Sequence, residues 1–381
     1  MRGPMAGSTA TKSIGLSAPY VDETEEELVL EVIRSGRLAF GSMIDQFESA
    51  LAERVGAPYV AALSSGTAGL HLCVRLAGIS PGDEVVTTPL SFIASANAIV
   101  YEGGTPVFVD VDSRTLNLDP TAVEAAITPR TKALVLVDLF GYPLDMDGFR
   151  ELAARHHLAI IEDACEALGA TYRGRPVGSF GHPAVFAFYP NKQVTTGEGG
   201  AVAVGTEDEW ELVKSLANQG RTDRGETFAH ERIGYNYRLD ELSAALGVAQ
   251  LRKLDRILAL RDEVAARYNE LLAEVEGVRL LCPDDDVYRR SWFVYVVFLD
   301  PPAERSSVMA RLAAEGIASK PYLPAIHLQP AYSNRFGFSE GMFPVAEAAG
   351  AQGLALPFHT GLAASDQERV VAALARALKT A

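Results

Sequence analysis

The chain has 381 residues, 48% of them apolar, which is enough to bury the core of one large domain or two smaller ones. Its 49 acidic residues exceed its 34 basic residues, and the formal charge of -15 argues against nucleic acid or an anionic membrane as the main partner. Cys73, Cys165 and Cys282 are far apart and outside any CxxC pattern, so neither a disulfide framework nor a metal site is predicted.

The N-terminal segment MRGPMAGSTATKSIGLSAPY lacks the apolar stretch of a signal peptide. No run of about 18 apolar residues follows it anywhere in the chain. We therefore expect a cytoplasmic protein without a membrane span, with a flexible N-terminus over residues 1–13.

From about residue 58 to residue 205, short apolar runs alternate with runs of helical periodicity. The strand-like runs are PYVAAL, DEVVTTP, TPVFVDV, KALVLVDLFG and LAIIEDA, and the helical runs between them are TAGLHLCVRLAG, SANAIVYEGG, DPTAVEAAI and MDGFRELAARHH. Asp119 is the expected N-cap of the third helix, before Pro120. Strands that are apolar at every position are typical of a sheet covered on both faces. The alternation predicts right-handed βαβ units around a mostly parallel sheet, whose ligands bind beyond the carboxyl ends of the strands.

The pattern changes after Gly205. One long helix is predicted from Asp240 to about Val275, followed by the strand SWFVYVVFL and the amphipathic helices SSVMARLAAEG and SDQERVVAALARALKT. The expected fold class is therefore α/β, with a large, mostly parallel sheet domain over residues 14–245. The long helix and a smaller C-terminal α+β domain occupy residues 246–381.

Two loops after predicted strands are candidate binding sites for a flat, phosphorylated ligand. Ser65, Gly66 and Thr67 follow the first strand and open a helix, where free backbone N–H groups bind phosphate. For such residues taken alone, an ordinary N-cap is the more common explanation. Phe92 follows the next strand and has the shape to stack on a flat ring, although core packing is the more common role of such an aromatic.

Two further loops supply a carboxylate and an amine. Glu162 and Asp163 close the apolar run LAII, where a carboxylate is costly unless a cation pairs with it or it caps a helix. Lys192 lies in AVFAFYPNKQVTTGEGGAVAV, on a glycine-rich turn between two strand-like runs. Most lysines are solvated, but one in this setting is a candidate nucleophile.

Together the four loops supply what pyridoxal 5'-phosphate requires. The helix start would bind the phosphate, the aromatic would stack on the ring, the carboxylate would keep the ring nitrogen protonated, and the lysine would bond to the aldehyde. This combination is far more specific than any of its members.

The segments SSGTAGLHL, EDACEALGA, FYPNKQVTTGEGG and GYNYRLDELSAALGVAQL resemble the DegT/StrS family of sugar aminotransferases, which has the aspartate-aminotransferase-like fold (fold type I). The resemblance runs from about Ile14 to the end of the chain, and perosamine-synthase-like members are the most similar. It implies a transfer of the amino group of glutamate to a nucleotide-linked ketosugar, with pyridoxamine 5'-phosphate as the intermediate form of the cofactor. It also implies a homodimer with shared active sites.

The resemblance also assigns roles to individual residues. Lys192 and Asp163 are the implied catalytic residues, and a lysine at position 192 favours transamination over the dehydratases of the family, which carry histidine there. The residues implied to contact the cofactor are Ser65, Gly66, Thr67, Phe92, Glu166 and Asn236. Those implied to contact the sugar substrate are Arg238 and His327. Asn236 is expected to reach the phosphate from the neighbouring subunit, with Arg238 in the same segment.

Two positions depart from the family pattern. Ala187 stands where many members have a serine that contacts the phosphate, so that contact is lost or replaced. Glu166 stands where many members have glutamine or histidine. Two other readings of the chain stay open at this point, a pyridoxal-phosphate-binding regulator without turnover and a desulfurase that would use Cys165 as a mobile thiol.

Overall fold

The computed structural model describes residues 13–222 and 229–379. The flexible N-terminus predicted for residues 1–13 lies outside the described residues, apart from Ser13.

The strands of the described residues form three sheets. In chain order they are β1 (Tyr59–Leu63), β2 (Glu84–Thr87), β3 (Thr105–Phe108), β4 (Thr131–Val137), β5 (Ala159–Asp163), β6 (Thr171–Tyr172), β7 (Arg175–Pro176), β8 (Ala184–Ala187), β9 (Gly200–Val204), β10 (Val278–Arg279), β11 (Tyr288–Arg289), β12 (Tyr295–Leu299), β13 (Lys320–Pro321) and β14 (Gly353–Leu356).

The large sheet has the order β1-β9-β8-β5-β4-β2-β3. All its strands run in one direction except β9, which is antiparallel to both of its neighbours. The prediction of a mostly parallel sheet is therefore confirmed. The carboxyl ends of β1, β2, β5 and β8 lie at the same edge of the sheet, so the four loops that follow these strands open on the same side.

The helices cover this sheet and build the C-terminal part. They are α1 (Glu23–Ser35), α2 (Ser42–Val55), α3 (Gly66–Leu76), α4 (Ala94–Tyr101), α5 (Pro120–Ala125), α6 (Met146–His156), α7 (Glu207–Ala217), α8 (Glu241–Arg252), α9 (Leu254–Leu272), α10 (Arg305–Ala314), α11 (Pro330–Phe336), α12 (Pro344–Gln352) and α13 (Ala364–Leu378). Asp119 caps α5 as expected, because its side chain accepts hydrogen bonds from the N–H groups of Thr121 and Ala122.

The prediction of a single long helix from Asp240 to Val275 was wrong, because the helix is interrupted at Lys253. There φ is -107° and ψ is 4°, which separates α8 from α9. The Lys253 ammonium turns toward the start of α1, with its Nζ 2.6 Å from Glu25 and 3.0 Å from Asp22. α8 is apolar on most sides and packs against α1 and α2, whereas α9 carries an amphipathic face into the C-terminal core.

The C-terminal part has its own antiparallel sheet, with the order β10-β12-β14-β13. A separate apolar cluster fills it, formed by residues of α9, β12, α10, β14 and α13. The boundary at residue 245 stays a prediction, and it falls within α8. None of the helices in the described part of the chain is long and apolar enough to cross a membrane.

Candidate active site

The start of α3 forms a small polar cradle at the end of β1. Ser65 is the N-cap, and its hydroxyl accepts a hydrogen bond from the N–H of Ala68 at 3.1 Å. The N–H groups of Gly66 and Thr67 belong to the first turn, so they have no acceptor within the helix. A cavity of about 430 Å³ lies against this turn and is lined by Ser65, Thr67 and the aromatic residues Tyr101 and Tyr237, among others. The cradle therefore offers free donors and hydroxyls to an anion.

The cradle is packed tightly from behind. A Cβ atom on Gly66 would lie 2.8 Å from the Cβ of Ala187 and 2.9 Å from the Sγ of Cys165. A Cβ atom on Gly200 would lie 2.3 Å from the carbonyl carbon of Ser65. Both glycines are needed because β8 and β9 approach the helix start this closely. Ala187, which stands where the resemblance implies a serine, contributes this packing rather than a hydroxyl.

Asp163 ends β5 and is 4% exposed. Its Oδ2 accepts a hydrogen bond of 2.6 Å from Ser95 in the first turn of α4, and its Oδ1 accepts one of 3.3 Å from the N–H of Cys165. These two donors fix the orientation of the Asp163 carboxylate. Among the described residues, no cation forms an ion pair with it. An oriented, buried carboxylate of this kind is able to hold a ring nitrogen in its protonated form.

Lys192 lies in the loop between β8 and β9, with its side chain 13% exposed. Its Nζ is 3.7 Å from the Oε1 of Glu166, and the Oε2 of Glu166 accepts a hydrogen bond of 2.8 Å from the N–H of Phe140. Burial raises the pKa of the Glu166 carboxyl, and the Lys192 ammonium and the Phe140 N–H oppose that rise. The structure thus places a largely buried amine beside a buried carboxyl at the carboxyl-terminal edge of the sheet.

Two buried side chains hold the backbone of the Lys192 loop. The Nη2 of Arg261 in α9 donates to the carbonyl of Lys192 at 2.8 Å, and its Nη1 donates to the carbonyl of Phe293 at 3.2 Å. The amide of Gln193 donates to the carbonyl of Glu166 at 2.7 Å and to the Oγ of Ser291 at 3.0 Å. The loop is therefore joined both to the end of β5 and to the segment that enters the C-terminal sheet.

Phe92 follows β2 with a 61% exposed side chain, so the structure does not bury it in the core. Its position between β2 and α4 puts it at the same sheet edge as Ser95, which binds Asp163. An aromatic face exposed at a ligand-binding edge is consistent with stacking on a flat ring.

The structure does not bring Asn236 or Arg238 to Lys192 within this chain. Asn236 is exposed and forms a bridge with Asn218, while Arg238 donates to the Oδ1 of Asn218 at 2.9 Å. Their segment runs beside the end of β1, where the carbonyl of Tyr237 binds the N–H of Ser64. Both side chains are therefore near the edge of the cradle, without contacting the buried amine.

The prediction that His327 contacts the substrate is not supported by the geometry. The residue has no exposed surface, and its Nε2 is 3.0 Å from the Oε1 of Glu347. Its ring packs edge-on against Phe343, with the centroids 4.7 Å apart. This packing leaves the imidazole without a surface that a ligand could reach.

Sequence reasoning missed several residues that build the site. Ser95, Gln193, Arg261, Phe293 and Tyr322 all contact the predicted residues or their immediate neighbours. Of these residues, only Arg261 could have been identified from the sequence, since it is a charged residue on the buried side of an amphipathic helix.

Pyridoxal phosphate fits this set of groups. The cradle offers backbone donors to a phosphate, Asp163 is a buried and oriented acceptor, and Lys192 supplies a largely buried amine. The described residues contain no group of three or more His, Cys, Asp or Glu arranged to hold a metal ion.

Comparisons with known proteins agree with this fit. A model of the DegT/DnrJ/EryC1/StrS aminotransferase family matches residues 19–375. The GDP-perosamine synthase of Caulobacter vibrioides is 42% identical over 369 residues, which cover 96% of this chain and 98% of that protein.

Solved structures give the same result. The structure of S. venezuelae DesV in complex with a ketimine intermediate has a TM-score of 0.89 and 36% identity, and the match covers 96% of this chain and 98% of that one. The PLP-form of Spr1654, a putative sugar aminotransferase from Streptococcus pneumoniae, has a TM-score of 0.92 and 28% identity, with coverage of 97% and 99%. These likenesses confirm the expected fold class.

Gly66→Ala should weaken the binding of pyridoxal phosphate, because the new methyl group displaces Ala187 or Cys165 and shifts the helix start. Overpacking of about 1–3 kcal/mol corresponds to roughly a 5- to 150-fold loss of affinity, which an absorbance titration of the apoprotein measures. Gly15→Ala is the matched control, since no atom lies within 4 Å of its added Cβ. Binding by Gly66→Ala as tight as that of the parent protein would contradict the close packing of the cradle.

Proposed function

Because this chain belongs to the DegT/DnrJ/EryC1/StrS aminotransferase family, we propose that it moves the amino group of glutamate to a nucleotide-linked ketosugar. It is a pyridoxal-phosphate-dependent sugar aminotransferase, as the family match and the similar structures show. Glutamate as the donor and a 4-keto-6-deoxy sugar as the acceptor are the proposed refinements. The similarity to a GDP-perosamine synthase supports a nucleotide-linked acceptor, since that name describes a nucleotide-linked product.

The observation that carries the proposal is the setting of Lys192. Its amine is largely buried beside Glu166, in a loop held by Arg261 and Gln193, at the sheet edge where Asp163 and the cradle of α3 also lie. A surface lysine needs no such support, whereas a reacting amine must be held in reach of its target.

Pyridoxal phosphate, when bound, supplies an aldehyde that takes up an amino group. It also supplies a ring that withdraws electrons from the reacting carbon. We propose that Lys192 would hold the cofactor through its aldehyde and, as a free amine, would move a proton with its Nζ. Asp163, oriented by Ser95, would hold the ring nitrogen protonated. Ser65, Gly66 and Thr67 would bind the phosphate, and the amino group would be stored as pyridoxamine 5'-phosphate between two half-reactions.

Glu166 needs a different role from the glutamine or histidine of many relatives. Burial raises the pKa of the Glu166 carboxyl and so favours its protonated form, which would donate a hydrogen bond to an oxygen of the cofactor ring. In its ionised form it would instead pair with the Lys192 ammonium.

The desulfurase reading is disfavoured by the packing of Cys165. Burial raises the pKa of its thiol well above the ordinary value, and its Sγ is wedged against the backbone at Gly66. A thiol that is held in its protonated form is a poor nucleophile. Its proximity to Asp163 makes it part of the wall of the site.

The half-reaction run in reverse tests the proposed function. A panel of nucleotide-linked aminosugars, including GDP-perosamine, is offered to the pyridoxal form, and the loss of its absorbance is followed. We expect at least one 4-amino-6-deoxy sugar and glutamate to convert the cofactor. Lys192→Ala should bind the cofactor but lose about three or more orders of magnitude in rate, because it lacks the proton carrier.

Non-aminated forms of the same nucleotide sugars serve as the negative control for that panel. Conversion by glutamate but by none of the aminosugars would contradict the acceptor class. No conversion by any amine would favour the regulator without turnover.

We further propose a homodimer in which Asn236 of each chain completes the site of the other. Its exposure, and its lack of contact with Lys192 in its own chain, support this arrangement. A two-fold interface would place each segment against the partner's cradle.

Mixing inactive Lys192→Ala chains with inactive Asn236→Ala chains tests the shared site. A mixed dimer would contain one site with both lesions and one site with neither, so activity should return to about a quarter of the parent level at equal mixing. Tagged chains establish that subunits exchange, and each variant alone serves as the baseline. No recovery despite exchange would mean that Asn236 acts in its own chain or has no role in the reaction.

A further inference from the structure

An aromatic ring faces the reactive amine from the C-terminal side. The Nζ of Lys192 lies 4.2 Å from the centroid of the Phe293 ring, which is 2% exposed. A cation at this distance from a ring face is attracted by the negative charge of the π system, and the attraction is larger when water is excluded. Neither the sequence pattern nor the proposed function assigns a role to Phe293.

The position of this ring is tied to the backbone of the lysine. Arg261 is buried, and its guanidinium binds the carbonyls of both Lys192 and Phe293. Burial lowers its pKa to about 10, and no carboxylate of the described residues forms an ion pair with it. A buried guanidinium that serves two carbonyls sets the distance between the two residues.

The other groups near the Lys192 amine do not replace the ring as a source of stabilisation for its charge. The anion nearest to Lys192 is Glu166 at 3.7 Å, beyond hydrogen-bond distance, and its pKa is raised by burial. Cys165 also lies within electrostatic reach, but burial keeps its thiol protonated. Tyr322 packs against Phe293 with the centroids 6.2 Å apart, and its own pKa is raised by burial. Asp163, at the end of β5, also raises the pKa of the Cys165 thiol through its charge.

We propose that Phe293 is a positioning residue that holds the Lys192 ammonium against its ring whenever the amine is not covalently bonded. The ring stabilises the charged amine in a buried setting and keeps it within reach of the reacting carbon. This inference rests on the proposed role of Lys192, but it is independent of which sugar is the acceptor.

The test measures the reactivity of Lys192 in the apoprotein. Cyanate carbamoylates the neutral form of an amine, and peptide mass spectrometry reports the rate at Lys192 relative to the exposed Lys132. Phe293 is replaced by phenylalanines with one, two and three ring fluorines, which withdraw charge from the ring face at nearly constant volume. We expect the relative rate to rise stepwise with fluorination. Phe293→Leu should raise it about 2- to 30-fold, the range of a cation–π contact of ~0.5–2 kcal/mol.

Phe358→Leu is the matched control, because its buried ring lies under Arg261 and not under Lys192. This variant should leave the relative rate within about two-fold of the parent protein. A flat or falling trend across the fluorinated series would overturn the proposal, whatever Phe293→Leu does. The measurement requires no turnover, so its failure is distinguishable from a failure of the proposed function.

Discussion

The hydrogen bonds from the Arg261 guanidinium to the carbonyls of Lys192 and Phe293 join the two halves of the active site. One carbonyl belongs to the loop between β8 and β9 of the large sheet, and the other to the segment that leads into β12 of the C-terminal sheet. Gln193 makes a second connection between the same segments through Ser291. These two connections fix the backbone of Lys192, and from there its amine reaches Glu166 on one side and Phe293 on the other.

The charges of the site are concentrated at the carboxyl ends of β4 and β5. Asp138, Asp163 and Glu166 are buried there, and burial together with the neighbouring Glu162 carboxylate raises the pKa of Asp138 well above its ordinary value. Of these acids, Glu166 is the one near Lys192, with 3.7 Å between its Oε1 and the lysine Nζ. Such an arrangement is costly for folding and useful for catalysis, because proton positions can be shifted by small changes in contact. A cationic ring nitrogen at Asp163 would relieve part of this cost.

The sequence predicted the parts of this account that local patterns determine. Alternating apolar strands and amphipathic helices gave the parallel sheet, and the sheet placed the loops of Gly66, Phe92, Asp163 and Lys192 at one edge. The break at Lys253 was missed, because helical periodicity continues across it and only the contact with Glu25 reveals it. Arg261, Phe293 and Tyr322 were missed because their contacts to the site join segments that are far apart in the chain. The burial of His327 was not foreseen, because it depends on aromatic neighbours whose positions only the tertiary structure fixes.

Reductive trapping tests most directly whether Lys192 is the residue that bonds to the cofactor. Borohydride reduces a carbon–nitrogen double bond between pyridoxal phosphate and a lysine, and the modified peptide is then identified by mass spectrometry. We expect that one cofactor is incorporated per chain, on the peptide that contains Lys192, and that incorporation is lost in Lys192→Ala. Trapping on a different lysine, or undiminished trapping in Lys192→Ala, would contradict it.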